Sequence, residues 1–198
     1  AGLADRLSED RRSAASRLER GVAEALADLA MEGASLEVAL EPLGGGGYGL
    51  NGAESVEFRV ATNPGMPTSS LRDAASGGEL SRIMLALSGL GSGAEGGSLV
   101  FDEIDAGIGG NTARAVGERL RALGRSRQVI CITHLPQVAS LAADHFRIEK
   151  RREGDSALAE VEKVEGEELI AEIVRMLGAG SADEAAGRHA RELLGAAA

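Results

Sequence analysis

The sequence predicts an α/β domain organised around two parallel strands joined by a helix. Residues 99–101 and 128–133 are short apolar runs, which are typical of strands buried on both faces of a sheet. Between them, apolar residues recur at helical spacing from Ala113 to Leu123, and Gly124 closes that helix. A strand, a helix and a strand within about thirty residues make a right-handed parallel crossover. With 198 residues, 43% of them apolar, the chain is long enough to bury one ordinary core.

Composition excludes several classes of function. The net charge of -10 argues against a broad DNA-binding face on this chain, and 2% aromatic residues argue against base-stacking surfaces. The single cysteine, Cys131, excludes an internal disulfide and lies in an apolar run, as a buried thiol does. No run is long enough to span a membrane and no signal-peptide pattern is present, so a cytoplasmic protein is expected.

The first 33 residues predict one amphipathic helix. From Leu3 to Met31 there is no proline, and Ala15, Leu18, Val22, Ala25, Leu26 and Leu29 recur at helical spacing until Gly33 ends the helix. Two interpretations remain open: a helix packed on its own domain, or the last turns of a coiled coil. The heptad register is not sustained, so periodicity does not separate them.

A β-hairpin is predicted next. Apolar residues alternate with polar or small ones in residues 36–40 and 56–60, and the glycine-rich stretch 42–52 joins them. These glycines match the dinucleotide-binding fingerprint formally, but a strand follows them where that fingerprint needs a helix, so the match is rejected. Residues 63–75 are predicted as an irregular connection.

Ser76-Gly77-Gly78-Glu79 begins the next predicted helix. Ser76 and Glu79 have the spacing of a capping box, which explains both without any ligand. Two glycines in a first turn cost roughly 1 kcal/mol each by interior values and less at an end, so they predict a close approach of other atoms to the backbone. The free amides of a helix N-terminus also suit a phosphate.

Acidic residues and a histidine follow the two apolar runs. Asp102 and Glu103 end the first, Asp105 opens a glycine-rich loop, and His134 follows the second. The carboxyl ends of parallel strands share one sheet edge, which places His134 beside the acidic pair. Asp102 could hold Mg²⁺ and Glu103 could orient or deprotonate a water. An acidic turn after a core strand is an equally good interpretation of the pair by itself.

The remaining residues predict a second hairpin and two helices. Residues 145–151 and 157–164 form the hairpin, and Lys150, Arg151 and Arg152 near its turn are most simply a solvated cluster, with nucleic-acid contact as the minority interpretation. The helices cover residues 167–177 and 181–194, the first stopping at Gly178. Capping is predicted from Ser181 with Glu184 for the last helix, and from Asn111 or Thr112 for the crossover helix.

Taken in order, these motifs resemble the second half of an ATP-binding-cassette nucleotide-binding head, and most closely the RecN family of DNA-repair proteins in the SMC-like group. The resemblance covers most of the chain from Ser76 onward; its most specific stretches are residues 76–86, 101–110, 132–139, 175–178 and 189–194. It implies the C-terminal lobe of an ABC/SMC-like P-loop NTPase head, a mostly parallel sheet flanked by helices. Residues 1–33 would then be the root of a returning coiled-coil strand and residues 34–198 the C-terminal half of the head.

The resemblance also implies residue roles in binding and hydrolysing ATP with Mg²⁺. Ser76, Gly77, Gly78 and Glu79 match the signature that binds the γ-phosphate on an opposing head. Asp102 matches the Walker B aspartate that binds Mg²⁺, Glu103 the general base, Asp105 the dimer-interface loop and His134 the γ-phosphate-sensing histidine. Ala75 stands where the cassette signature usually has leucine, which weakens a transporter interpretation.

A Walker A motif is absent from the sequence. A phosphate-binding loop ends in Gly-Lys-Ser or Gly-Lys-Thr, and the two lysines here, Lys150 and Lys163, each follow a glutamate. We therefore expect a C-terminal fragment that is inactive alone and pairs with an N-terminal half carrying Walker A, with a second head, and with DNA through the complete protein, near the nucleoid and without a membrane. A head of another ABC or SMC ATPase, including a transporter, and a non-catalytic association domain remain alternatives.

Overall fold

The computed structural model describes residues 2–73, 77–91, 97–153 and 156–196. These residues contain six α-helices: α1 (Gly2–Ala27), α2 (Gly77–Leu90), α3 (Gly110–Gly124), α4 (Pro136–Ala139), α5 (Gly166–Met176) and α6 (Glu184–Gly195). Seven strands accompany them: β1 (Ser35–Pro42), β2 (Glu54–Ala61), β3 (Ser69–Ser70), β4 (Ser98–Phe101), β5 (Gln128–Cys131), β6 (His145–Glu153) and β7 (Ser156–Val164). Short 3-10 turns occupy Gly44–Gly46 and Leu71–Asp73.

The strands of the described residues form three sheets, which confirms the α/β class. β1, β2 and β3 are antiparallel, with Val38 opposite Phe58, and β6 and β7 form the second predicted hairpin. β4 and β5 are parallel, with Val100 opposite Ile130, and α3 connects them as the predicted crossover. The parallel component is therefore confined to one pair of strands, and the sheets as a whole are mixed.

One side of the parallel pair is packed and the other is open. The packed side lies in the main core, the cluster of buried apolar residues that includes Leu26, Ile83 and Val116. It carries Leu99, Phe101, Val129 and Cys131. On the opposite face Val100 is 63% exposed, Ile130 45% and Ile132 49%. The prediction of strands buried on both faces is thus wrong for this chain, since alternate side chains point to opposite faces and only one face is covered by the described residues.

Helix α1 joins the main core through its second half. Val22, Ala25 and Leu26 are buried and belong to the main core, where α1 contacts β1 and α2, whereas Leu3 is 84% exposed. The helix ends at Ala27 rather than near Met31, because Ala30 adopts a left-handed φ of 55° that no α-helix continues through. The second half of α1 is therefore a helix of this domain.

Two capping predictions are wrong. Helix α6 is capped by Asp183, whose Oδ1 accepts hydrogen bonds from the amides of Ala185 and Ala186 at 2.9 and 3.0 Å, and not by Ser181. Helix α3 has Gly109 at its N-cap, with no side-chain hydrogen bond, rather than Asn111 or Thr112. Several residues of capping type lie near each start, and spacing alone does not select among them.

The last elements form a second, smaller core. Ile173 and Val174 of α5 and Ala190 of α6 pack together with Ala139 of α4. Helix α5 ends at Met176, with Leu177 at its C-cap, and the next residue, Gly178, has a φ of 76° that suits the predicted helix stop. No helix of the described residues is both long and apolar enough to cross a membrane.

Candidate functional site

The acidic pair lies where β4 ends. Asp102 and Glu103 are both exposed. The Ser81 hydroxyl of α2 donates a 2.7 Å hydrogen bond to the Asp102 carbonyl, and Asp102 Oδ1 accepts one of 2.9 Å from the Glu103 amide. Glu103 has a φ of 55°, a left-handed conformation that side-chain-bearing residues rarely adopt and that occurs preferentially at functional sites.

His134 lies at the same edge of the parallel pair, as predicted. Phe101 and Cys131 are in register, so the residues that follow them emerge side by side. His134 Nδ1 is 3.0 Å from Asp105 Oδ2, and the His134 side chain is 74% exposed. The structure therefore places Asp102 and Glu103 after β4 and His134 after β5 at one edge of the parallel pair, where His134 contacts Asp105.

The two glycines of α2 permit a close approach to this group, which confirms that part of the prediction. A Cβ at Gly77 would overlap Glu103 Oε2, and one at Gly78 would lie 2.8 Å from Ala106 Cβ and 3.0 Å from the Glu103 carbonyl oxygen. The approaching atoms belong to the chain's own 103–106 loop. The carboxylate of Glu103 thus lies at the positive end of the helix dipole of α2. Ser76 lies outside the described residues; Glu79 is in the first turn of α2.

Arg82 is a residue of this site that sequence reasoning missed. It is buried on α2, and its Nη1 donates to the carbonyl oxygens of Ile104 and Ala106 at 3.2 and 3.0 Å. Burial lowers the pKa of the guanidinium, an effect that the charge of Glu79 partly offsets. Its position four residues after Gly78, on the same helix face, was the available signal. Arg82 fixes the 103–106 loop to α2.

The acidic pair, Asp102 and Glu103, could bind a magnesium ion only if a phosphate supplied further ligands. Among the described residues no three His, Cys, Asp or Glu side chains cluster as a metal site. Mg²⁺ is usually held by one or two carboxylates plus substrate phosphate oxygens, which the exposed Asp102 fits.

Cys131 has an unreactive thiol. Burial raises the pKa of its thiol to about 12, and the charges of Asp105 and Asp102 act in the same direction. This agrees with the interpretation of a core thiol. Of the basic cluster near the β6–β7 turn, Lys150 is exposed, and the side chains of Arg151 and Arg152 lie outside the described residues.

Comparisons with known proteins find close relatives along nearly the whole chain. It is 42% identical over 204 residues to the DNA repair protein RecN of Streptomyces coelicolor, an alignment covering 98% of this chain and 36% of that protein. It is 47% identical over 168 residues to RecN of Deinococcus radiodurans, covering 84% of this chain and 29% of that protein. The chain belongs to the RecN family. It corresponds to the C-terminal part of its RecN relatives and spans about a third of their length. No family model matches.

Solved structures of SMC heads share the fold. An SMC ATPase studied for ATP-driven dimerization and DNA-stimulated activation superposes with a TM-score of 0.50 at 19% identity, over 87% of this RecN-family chain and 98% of that chain. The Smc head domain of Pyrococcus yayanosii with its coiled coil and joint gives a TM-score of 0.55 at 17% identity, over 80% of this chain and 28% of that chain. The C-terminal lobe of an SMC-like head is therefore the fold of this chain.

Proposed function

We propose that this chain is half of the ATPase head of a RecN-like DNA-repair protein, acting in double-strand-break repair and recombination. The observation that supports this most is the position of Asp102, Glu103 and His134 at one edge of a parallel pair, with the α2 N-terminus beside Glu103. These three side chains and the helix N-terminus are groups of the kind that hydrolysis of a phosphoanhydride uses. RecN relatives are DNA-repair proteins by name, and the SMC neighbour is an ATPase.

Each residue has a separate task in the proposed reaction. Glu103 orients the attacking water and accepts its proton, and Asp102 binds Mg²⁺, which supplies charge neutralisation at the phosphates. The signature residues Ser76, Gly77, Gly78 and Glu79 bind the γ-phosphate of a nucleotide on an opposing head, a task that suits the amides that begin α2 at Gly77. His134 lies on the exposed side, where it can contact the nucleotide or the water.

The partner of this chain is an N-terminal half that supplies Walker A and covers the open sheet face. The open face of the β4–β5 sheet is an apolar surface made by Val100, Ile130 and Ile132. Open α/β folds bury both faces of a parallel sheet of this kind. A second head completes the composite site, and the complete protein binds DNA in the bacterial nucleoid. We expect the chain to be inactive and to bind ATP weakly on its own.

ATP turnover tests the proposal directly. We expect no turnover from the chain alone and turnover from its mixture with the N-terminal half. In the complete protein, Glu103→Gln should abolish turnover and trap ATP-bound dimers. Glu118→Gln is the matched control, since Glu118 is an exposed glutamate of α3 paired only with Arg114 among the contacts described. Unchanged turnover in Glu103→Gln would contradict the role of Glu103.

Two other outcomes favour the alternatives. An assembled pair that never hydrolyses ATP and associates equally well without ATP or Mg²⁺ would indicate a non-catalytic association domain. Turnover coupled to a membrane domain would indicate another cassette ATPase.

Val100→Lys tests the interface itself, because a charge on the open face blocks assembly without disturbing the packed face.

A further inference from the structure

A groove of about 520 Å³ lies between the middle of α1 and the β1–β2 hairpin, and none of its lining residues belongs to the candidate site. Its lining consists of apolar residues and two arginines. The apolar residues on the helical side are Ala14, Ala15, Leu18 and, from α2, Leu90. Those on the hairpin side are Val38, Leu40, Val56 and Phe58.

The register of the hairpin explains why this groove is open. Leu36 and Val60 pair at the base of the hairpin and are buried in the main core. Farther along the same face of β2, Phe58 is 38% exposed and Val56 is 47% exposed. The described residues therefore cover one apolar face of the hairpin at its base and leave it open towards its tip. Contiguous exposed apolar surface of this kind marks an interaction site.

The apolar surface continues along α1 beyond the groove. Leu3 is 84% exposed and Leu7 is 38% exposed, and with Ala14 and Leu18 they recur at intervals of four and seven residues, which places them on one stripe of the helix. From Leu3 to Leu18 this stripe extends about 22 Å, which is long enough to accompany about four turns of a second helix. The hairpin connection lies beside the stripe, since an ideal Cβ at Gly52 would be 2.9 Å from Leu7 Cδ2.

The cationic groups of the groove indicate the charge of its occupant. Arg11 and Arg17 line the groove, and no acidic residue of the described chain does. The Arg17 Nη1 donates a 2.8 Å hydrogen bond to the Ser13 hydroxyl, whereas the Arg11 Nη1 is buried and has no hydrogen-bond partner within the part of the chain that the structure describes. A buried donor without an acceptor is costly, and a carboxylate is the strongest acceptor for a guanidinium. The groove therefore suits an occupant with apolar side chains and an acidic one.

We propose that this groove binds an amphipathic helix of the polypeptide that precedes α1 in the complete protein. The helix places apolar side chains on Val56 and Phe58 and an Asp or Glu side chain on Arg11 Nη1. The RecN relatives contain such a polypeptide, because this chain corresponds to their C-terminal part and spans about a third of their length. The β1–β2 hairpin thus holds the incoming helix against α1. This surface is distinct from the open face of the β4–β5 sheet, and its occupation does not depend on ATP hydrolysis.

Photo-crosslinking in the complete protein identifies the occupant of the groove. Phe58→p-benzoylphenylalanine places a photoreactive ketone in the groove, and Ser55→p-benzoylphenylalanine, on the opposite face of β2, is the matched control. Mass spectrometry should find position 58 joined to a peptide that precedes α1 in the same molecule, and should not find that product for position 55. Crosslinks from position 58 to a second copy, to DNA, or only to residues 1–198 would overturn the proposal.

Charge exchange tests the contact with Arg11. Arg11→Glu should make amide hydrogen exchange of the crosslinked segment at least about tenfold faster, the effect of losing a charge-assisted hydrogen bond. Arg6→Glu is the matched control, because Arg6 is an exposed arginine of α1 that does not line the groove. Arginine in place of the acidic residue of the crosslinked segment should restore slow exchange in Arg11→Glu. Unchanged exchange in Arg11→Glu, or no restoration, overturns this contact. The crosslink is made with Arg11 intact, so it identifies the occupant even if Arg11→Glu does not fold.

Discussion

Gly78→Ala should destabilise the chain, although alanine is the better helix former. An ideal Cβ at this position lies 2.8 Å from Ala106 Cβ and 3.0 Å from the Glu103 carbonyl oxygen. Favourable contacts between carbon atoms begin near 3.5 Å, so the loop must move by several tenths of an ångström. Overpacking of this kind costs about 1–3 kcal/mol, and the helix gains at most about 1 kcal/mol from alanine.

The expected net loss is about 1–2 kcal/mol, which corresponds to a fall in Tm of about 2–8 °C for a chain of this size. Thermal unfolding followed by circular dichroism measures it. Gly89→Ala is the matched control on the same helix, since no atom lies within 4 Å of its ideal Cβ. Its Tm should stay unchanged or rise by up to about 4 °C. Equal stability of the two variants would refute the close approach of α2 to the 103–106 loop.

Three further outcomes are expected. In urea unfolding, Asp183→Ala should lose about 1 kcal/mol because it removes the α6 cap, whereas Ser181→Ala should change stability by less than about 0.5 kcal/mol. Gly117→Ala should lose about 1–3 kcal/mol, because its Cβ would lie 2.6 Å from Leu141 Cδ1 and 3.3 Å from the backbone of Val138. Gly187→Ala should gain about 0.5–1 kcal/mol, because its Cβ would make only an ordinary contact, at 3.5 Å from Arg191 Nη1. The Cys131 thiol has a pKa of about 12 in the folded chain and about 8.5 when unfolded, so the free energy of unfolding falls as pH rises between these values. Unfolding measured at several pH values in that range should show a smaller decrease in this free energy for Cys131→Ala. An equal decrease in both proteins would contradict the raised pKa.

Sequence patterns predicted the elements that depend on local periodicity and on topology. Alternation predicted the β1–β2 hairpin, and the apolar runs flanking α3 predicted the parallel crossover. The position of Glu103 and His134 at one sheet edge followed from one rule, that parallel strands end at the same edge. These features need no knowledge of which side chains meet across the core.

Features that depend on three-dimensional contacts were not predictable. A continuous apolar run does not reveal which face the same chain covers, so the exposure of Val100 was missed. Arg82 looked like one polar residue in an amphipathic helix, because its two carbonyl partners are more than twenty residues away. For Asp105, sequence position indicated a loop but not that its carboxylate is turned inward toward Thr133.

The open face of the β4–β5 sheet has a consequence for how the chain is made and handled. Both strands are edges in the described structure and present unpaired backbone groups beside apolar side chains, a combination that invites pairing with other copies. If the proposed N-terminal half covers this face, a polypeptide that includes both halves keeps the cover close to it from the moment of synthesis. Produced separately, the chain must find that cover by collision, so co-expression of the two halves should yield more soluble material than mixing them after purification.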